Sequence, residues 1–146
     1  LFRGTFLHTI DSKGRVSVPN RFRETLRENE ENTLVLTKGT HQSCLAAYPL
    51  SRWQKIEENL DNTPAGRSKD NFIRHYISPA QDCGMDKMGR ILIPANLRSK
   101  AGLEREIMIV GALSKFEVWD KDRLEAYYEA TEDEAQELME TREMLF

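Results

Sequence analysis

The sequence predicts a mainly β protein with short helices, of the α+β class, and three observations carry that prediction. Thirteen residues return in recognisable form 75 positions later; the apolar residues inside them alternate as in a half-buried strand; and each copy spans only about 45 residues, too few to bury a good core alone. The two copies are therefore expected to pack on one another as one pseudo-twofold domain, followed by a C-terminal helix.

The repeat runs through residues 11–23 and 86–98. Asp11, Gly14, Arg15, Pro19 and Arg23 recur identically as Asp86, Gly89, Arg90, Pro94 and Arg98, and Val16, Val18 and Phe22 return as Ile91, Ile93 and Leu97. The match resumes at an offset of 71, where residues 48–54 align with residues 119–125.

Each copy opens on a tight turn, because Asp bonds turn amides and Gly three residues on accepts positive φ. A strand follows, with Val16/Val18 and Ile91/Ile93 on the buried face and Arg15 and Arg90 on the other, at the mouth of a hairpin. Pro19 and Pro94 end these strands. Phe22/Leu26 and Leu97/Ala101 have the i, i+4 spacing of a short helix, and Gly102 is a natural stop. Two more strands are expected per copy, at residues 33–37 and 44–48 and at residues 106–110 and 115–119, on β-branched and aromatic content. Ser51 with Gln54 and Asp122 with Glu125 read as capping boxes opening amphipathic helices. Trp53, Ile56 and Leu60 mark the buried face of the first; Leu124, Tyr128, Ala135 and Leu138 mark that of the second. Residues 61–71 form a polar linker with Pro64 and Gly66, and Phe72, Ile73, Tyr76 and Ile77 suggest one more short helix.

The chain has 146 residues, is 39% hydrophobic and 31% charged, and carries a net charge of −3, which suits a soluble domain and excludes a generally basic nucleic-acid coat. The charge is unevenly spread. Residues 1–27 hold six basic and two acidic side chains, whereas residues 117–146 hold eleven acidic and three basic. No apolar run approaches the roughly 20 residues of a membrane span, and no secretory h-region opens the chain, so a cytoplasmic location is expected. Cys44 and Cys83 have no ligand spacing and read as small apolar fillers, with neither a metal site nor a disulfide framework.

The duplicated Asp-x-x-Gly-Arg turn, the strand ending in Pro and the opening Phe2-Arg3-Gly4 resemble the MraZ family of bacterial transcriptional regulators over nearly the whole chain. That family's Asp-x-x-x-Arg motif matches residues 11–15 and 86–90. One departure is Leu1, where the family begins with Met. The resemblance implies a double-split β-barrel of two duplicated AbrB-like βαββ modules. It divides the chain into module 1 (residues 5–52), a helix and linker (53–80), module 2 (81–124) and an acidic C-terminal helix (125–146). It further implies a nucleoid-associated repressor that binds, as a ring-shaped homo-oligomer, direct repeats of double-stranded DNA ahead of the division and cell-wall gene cluster.

The candidate DNA-binding residues are Arg15, Lys13, Arg3, Arg21 and Arg23 in the first copy and Arg90, Lys87 and Arg98 in the second. An arginine on a turn grips phosphate in fork geometry or reads guanine O6 and N7 in the major groove. Asp11, Gly14, Asp86 and Gly89 are the structural turn residues. A plainer reading has Asp11 and Arg15 simply pairing across their own turn. Arg21 has no basic counterpart in the second copy, where Asn96 stands, so that copy is expected to be less positive and to serve partly in packing or in a subunit interface.

An enzyme is not expected. His8, His41 and His75 are scattered, GxSxG and HExxH are absent, and no glycine-rich phosphate loop follows a strand, so the sequence shows no catalytic residues, cofactor or small-molecule substrate site. Phe22, Tyr48, Trp53 and Trp119 fall at core or core-edge positions, which disfavours stacking on single strands. The alternative from another class is an antitoxin-like protein-binding module, with residues 124–145 as an acidic partner helix.

Overall fold

The structure is a computed structural model that describes residues 1–141. Eight strands and five α-helices follow one another as β1 (Thr5–Thr9), β2 (Arg15–Ser17), α1 (Asn20–Glu28), β3 (Thr33–Lys38), β4 (Cys44–Pro49), α2 (Leu50–Asp61), α3 (Arg67–Phe72), a π-helical turn (Ile73–Ile77), β5 (Gln81–Gly84), β6 (Arg90–Leu92), α4 (Ala95–Ala101), β7 (Glu106–Gly111), β8 (Phe116–Asp120) and α5 (Lys121–Glu140). The class is α+β with antiparallel pairing throughout.

Six strands form one sheet in the order β1-β7-β8-β4-β3-β5, and β2 pairs with β6 as a separate two-stranded ribbon. Read from either end, the sheet presents corresponding elements of the two copies, and the copies interleave. β1 of the first pairs with β7 of the second, while β5 of the second pairs with β3 of the first. No closed barrel forms among the described residues: β1 and β5 remain the two edges of the sheet, and the short ribbon pairs with neither. The expected hairpin is likewise absent. The turn after Asp11 joins two strands with different partners, so it is a corner between sheets.

Packing follows the strand alternation. Leu34, Leu36, Leu45, Ala47, Ile107, Ile109, Phe116 and Val118 line the inner face of the sheet. They meet Val16, Val18, Ile91 and Ile93 from the ribbon region and Phe22, Leu26, Leu97 and Ala101 from α1 and α4. Phe22 adds edge-on contacts with Phe2 and Phe6, centroids 5.2 Å apart in each pair, an arrangement favoured by the ring quadrupoles. Trp53, Trp119 and Leu124 are buried and Tyr48 is partly buried, as expected. Tyr128, Ala135 and Leu138, expected on the buried face of the last helix, are exposed, because α5 turns Leu124 and Tyr127 toward Trp119 and its second half stands in solvent.

The helix entries differ from expectation. α1, α2 and α4 all begin after a proline, Pro19, Pro49 and Pro94, without a side-chain cap. Proline's fixed φ pre-sets the entry, so Ser51 lies inside α2, and its amide donates to Glu31 Oε1 at 3.2 Å. α5 is capped by Asp120, which accepts from the Arg123 amide, so Asp122 is in the first turn. Gly102 ends α4 in the left-handed conformation. The expected linker contains α3, and the helix expected around residues 72–77 is the π-helical turn. The last five residues of the expected acidic helix, 142–146, lie outside the described residues. Both cysteines are buried and free, and burial pushes each thiol up to about 11, which keeps it protonated and inert.

Candidate nucleic-acid interface

The two Asp–Arg turns are nearly identical in their bonding. In the first, Asp11 Oδ1 accepts from the amides of Lys13 and Arg15, both at 2.9 Å, and Oδ2 accepts from Arg15 Nε at 2.8 Å. In the second, Asp86 Oδ1 accepts from the amides of Met88 and Arg90, both at 2.9 Å, and Oδ2 accepts from Arg90 Nε at 3.0 Å. The plainer reading, an Asp–Arg pair within the turn, is therefore present. It engages only Nε and leaves the two terminal nitrogens of each guanidinium without a protein partner among the described residues. These bonds to the charged carboxylate, the Arg15 amide foremost, hold Asp11 down to about 2, and Asp86 is lowered for the same reasons.

The ribbon sets the direction of these arginines. Val16 and Ile91 are cross-strand partners buried in the core, so their neighbours Arg15, Ser17, Arg90 and Leu92 share the outer face. Arg15 stands opposite Leu92 and Arg90 opposite Ser17, which makes the two arginines diagonal neighbours, roughly 7–8 Å apart between backbones. Lys13 and Lys87 are exposed on the flanking turns.

Gly14 and Gly89 are buried, with φ of +86° and +75°. Each carbonyl accepts a 2.9 Å bond from the opposite copy: Gly14 from the Ile93 amide, Gly89 from the Val18 amide. A Cβ on Gly14 would lie 2.8 Å from the Arg98 guanidinium carbon, and one on Gly89 2.4 Å from Arg23 Nη1. Arg23 and Arg98 thus buttress the opposite copy's turn. Arg98 Nε donates to the Ile93 carbonyl at 3.0 Å; Arg23 bonds Asn20 Oδ1 and, at 3.4 Å, the Met88 carbonyl. Arg23 Nε is buried with no partner among the described residues. A sign of this role is in the sequence: Arg23 recurs as Arg98 although its exposed neighbour Arg21 does not recur.

Of the candidate residues, the structure brings Arg15, Arg90, Lys13 and Lys87 to the ribbon and its turns, and places Arg23 and Arg98 beneath them. Arg3 and Arg21 are exposed on the N-terminal segment and on α1. They form a second group around Gly4, whose absent Cβ would lie 3.9 Å from Arg21 Nη1. Sequence reasoning missed Met88 and Leu92, which are 68% and 55% exposed beside the arginines. Their signal is that they replace Lys13 and Ser17 at matching repeat positions.

Among the described residues no His, Cys, Asp and Glu cluster suits a metal ion, and no helix is long and apolar enough to cross a membrane. Fold and site together define a class: an α+β protein whose duplicated acidic turns hold a pair of arginines on the outer face of a two-stranded ribbon. Comparison with known proteins gives the family. The MraZ protein family, whose description includes the words "antitoxin-like", matches residues 1–72 and 76–146. A transcriptional regulator MraZ of Lachnoclostridium phytofermentans is 44% identical over 126 residues, covering 86% of each chain. Those of Yersinia pestis and Serratia proteamaculans are each 38% identical over 146 residues, covering 99% of this chain and 94% of theirs. The chain belongs to the MraZ family.

Proposed function

We propose that this protein is a sequence-specific regulator of transcription that binds duplex DNA through the β2–β6 ribbon, and that it is not an enzyme. The observation that carries this reading is the pair of half-engaged arginines on the ribbon's outer face. A two-stranded ribbon fits the major groove, and a guanidinium held by its Nε keeps two donors aimed outward for guanine O6 and N7 or for phosphate. Leu92, opposite Arg15, supplies an apolar surface of the kind that meets a thymine methyl. Arg3 and Arg21 extend the contact along the phosphate backbone. The relatives' name, transcriptional regulator, supports the reading.

In the finer form of this proposal, the interleaved halves are two AbrB-like modules, and the protein represses the division and cell-wall gene cluster from the nucleoid in the cytoplasm. One ribbon offers too few base contacts for the roughly 4–10 kcal/mol of discrimination that regulators show, so several copies bind together. In a ring, neighbouring copies are related by rotation along the DNA path, so they read direct repeats about 10 bp apart.

The test is a gel shift of the protein with its own upstream DNA and with spacer variants, alongside mass by light scattering. A sequence-selective complex of an oligomer, weakened by shifting one repeat about half a turn, is the expected result. A monomer binding a lone site as tightly as the array removes the ring.

A second reading, an antitoxin-like protein-binding module, draws on the family description and on the exposed, acidic second half of α5. A stoichiometric small basic partner in a pull-down, with no selective DNA complex, would favour it.

A further inference from the structure

The two halves differ on the face of the sheet turned away from the ribbon. Over β8 and α5 that face is closed by a stack of rings. His41, from the loop between β3 and β4, lies 5.1 Å from the Trp119 ring at an interplanar angle of 27°, and 4.8 Å from the Tyr127 ring. Over β4 and α2 the corresponding place is open. At the repeat offset of 71, Tyr48 stands for Trp119 and Ile56 for Tyr127, but the loop that would deliver the third ring is shorter. Residues 39–43 separate β3 from β4, whereas only residues 112–115, with no ring among them, separate β7 from β8.

The result is a cavity of about 340 Å3, within the usual size range of small-molecule sites. Tyr48, Trp53 and Ile56 form one side of its lining; Phe72 comes from the end of α3 and Tyr76 from the π-helical turn, a geometry found often at functional sites. Among the described residues its only charged lining groups are two lysines. Lys38 Nζ lies 5.2 Å from the centre of the Tyr76 ring and 3.3 Å from His75 Nδ1; Lys115 Nζ lies 5.8 Å from the centre of the Tyr48 ring. Neither lysine forms an ion pair among the described residues. Glu117, on the neighbouring strand, is engaged by the Trp119 indole N–H at 3.1 Å. Two ammonium groups without a carboxylate partner among the described residues, set over an aromatic lining, describe a complement for a flat anion.

We propose that this cavity binds a small organic anion carrying a planar ring, such as an aromatic carboxylate or sulfonate. The ring stacks on Tyr48 as His41 stacks on Trp119, and the anionic group takes the place between Lys38 and Lys115. In this proposal the molecule is held and not transformed. The site is independent of the ribbon, since β3 and β4 turn Leu34, Leu36, Leu45 and Ala47 toward the ribbon side and Thr37, Ala46 and Tyr48 toward the cavity.

The experiment is calorimetric titration of the full chain with naphthalene-2-sulfonate and with neutral 2-naphthol. One saturable sulfonate site per chain is expected, binding about tenfold or more tighter than naphthol. The double variant Lys38→Gln/Lys115→Gln should weaken sulfonate about a hundredfold and leave naphthol within about twofold. Ile56→Trp, which fills the cavity, should abolish both, and Arg15→Ala should change neither. Equal affinity for the two probes, an unaltered double variant, or binding that appears only after dilution has separated the copies would each overturn the proposal; the last result would assign the cavity to a second copy of the chain.

Discussion

The Asp11–Arg15 turn and the Asp86–Arg90 turn have the same hydrogen bonds at nearly the same lengths, with Asp–Arg distances of 2.8 and 3.0 Å, and their arginines are equally exposed, at 32%. Their surroundings differ. The first turn displays Lys13 and Ser17, and the helix behind it begins Asn20-Arg21; the second displays Met88 and Leu92, and its helix begins Ala95-Asn96. Duplication here has kept the device that aims a guanidinium and changed what stands beside it. The symmetric part is the part that each copy holds in place for the other, since Gly14 seats Arg98 and Gly89 seats Arg23. A change at either seat disturbs both copies, whereas an outward residue answers to its own side alone.

The comparison is broken most directly at the arginines. Arg15→Ala is expected to abolish selective DNA binding with an unchanged circular dichroism spectrum, because each bidentate contact is worth about 1–3 kcal/mol and an assembly loses it several times over. Arg90→Ala should cost less, since Met88 stands where the first turn has Lys13 and Asn96 where its helix has Arg21, which leaves Lys87 as the basic residue on the second turn. Equal losses in binding titrations would show that the flanking differences do not matter. Next in size are Gly14→Val and Gly89→Val. Each forces a branched residue to positive φ and pushes a guanidinium from its seat, and each should destabilise the fold by about 2 kcal/mol or more in chemical denaturation, to a similar extent. Arg98→Ala should cost about 1 kcal/mol of stability through loss of the bond to the Ile93 carbonyl, read in chemical denaturation.

The smallest effect is in acid. Asp11 has a folded pKa of about 2, below its usual 3.8, so its contribution to stability is complete above 3.8 and lost as the pH falls through the range down to 2. A carboxyl titration by NMR should place Asp11 in that low range and raise it only part of the way toward 3.8 in Arg15→Ala, because the amides of residues 13 and 15 still donate to it, with Asp86 unaffected.

Much of this architecture is legible in the sequence because local chemistry decides it. The Asp and Gly of each turn, the prolines, the spacing of Phe22 and Leu26 and the left-handed Gly102 all act within a few residues. The strands at residues 33–37, 44–48 and 106–110 were also legible from their branched and aromatic residues, to within a residue or so at their ends. What stayed hidden is decided at long range. Nothing within Thr5–Thr9 indicates that its partner is Glu106–Gly111, and without that exchange of partners the corner after Asp11 reads as a hairpin. Arg23 and Arg98 look like surface charges until the opposite turn is in view. The arginine pair of the site was legible; its footing, shared between the copies, was not.

Interleaving also sets a timetable for the birth of the molecule. During synthesis β1 and β2 leave the ribosome long before β6 and β7 exist to receive them, and at about 5–20 residues per second the wait lasts several seconds. Through that interval Val16, Val18 and Phe22 have no lid, and contacts between such distant segments are slow to form even once the chain is complete. The first half therefore exposes apolar surface until the second arrives, and a chain ended in the polar stretch after α2 has an unpaired β3 edge, open to a foreign strand.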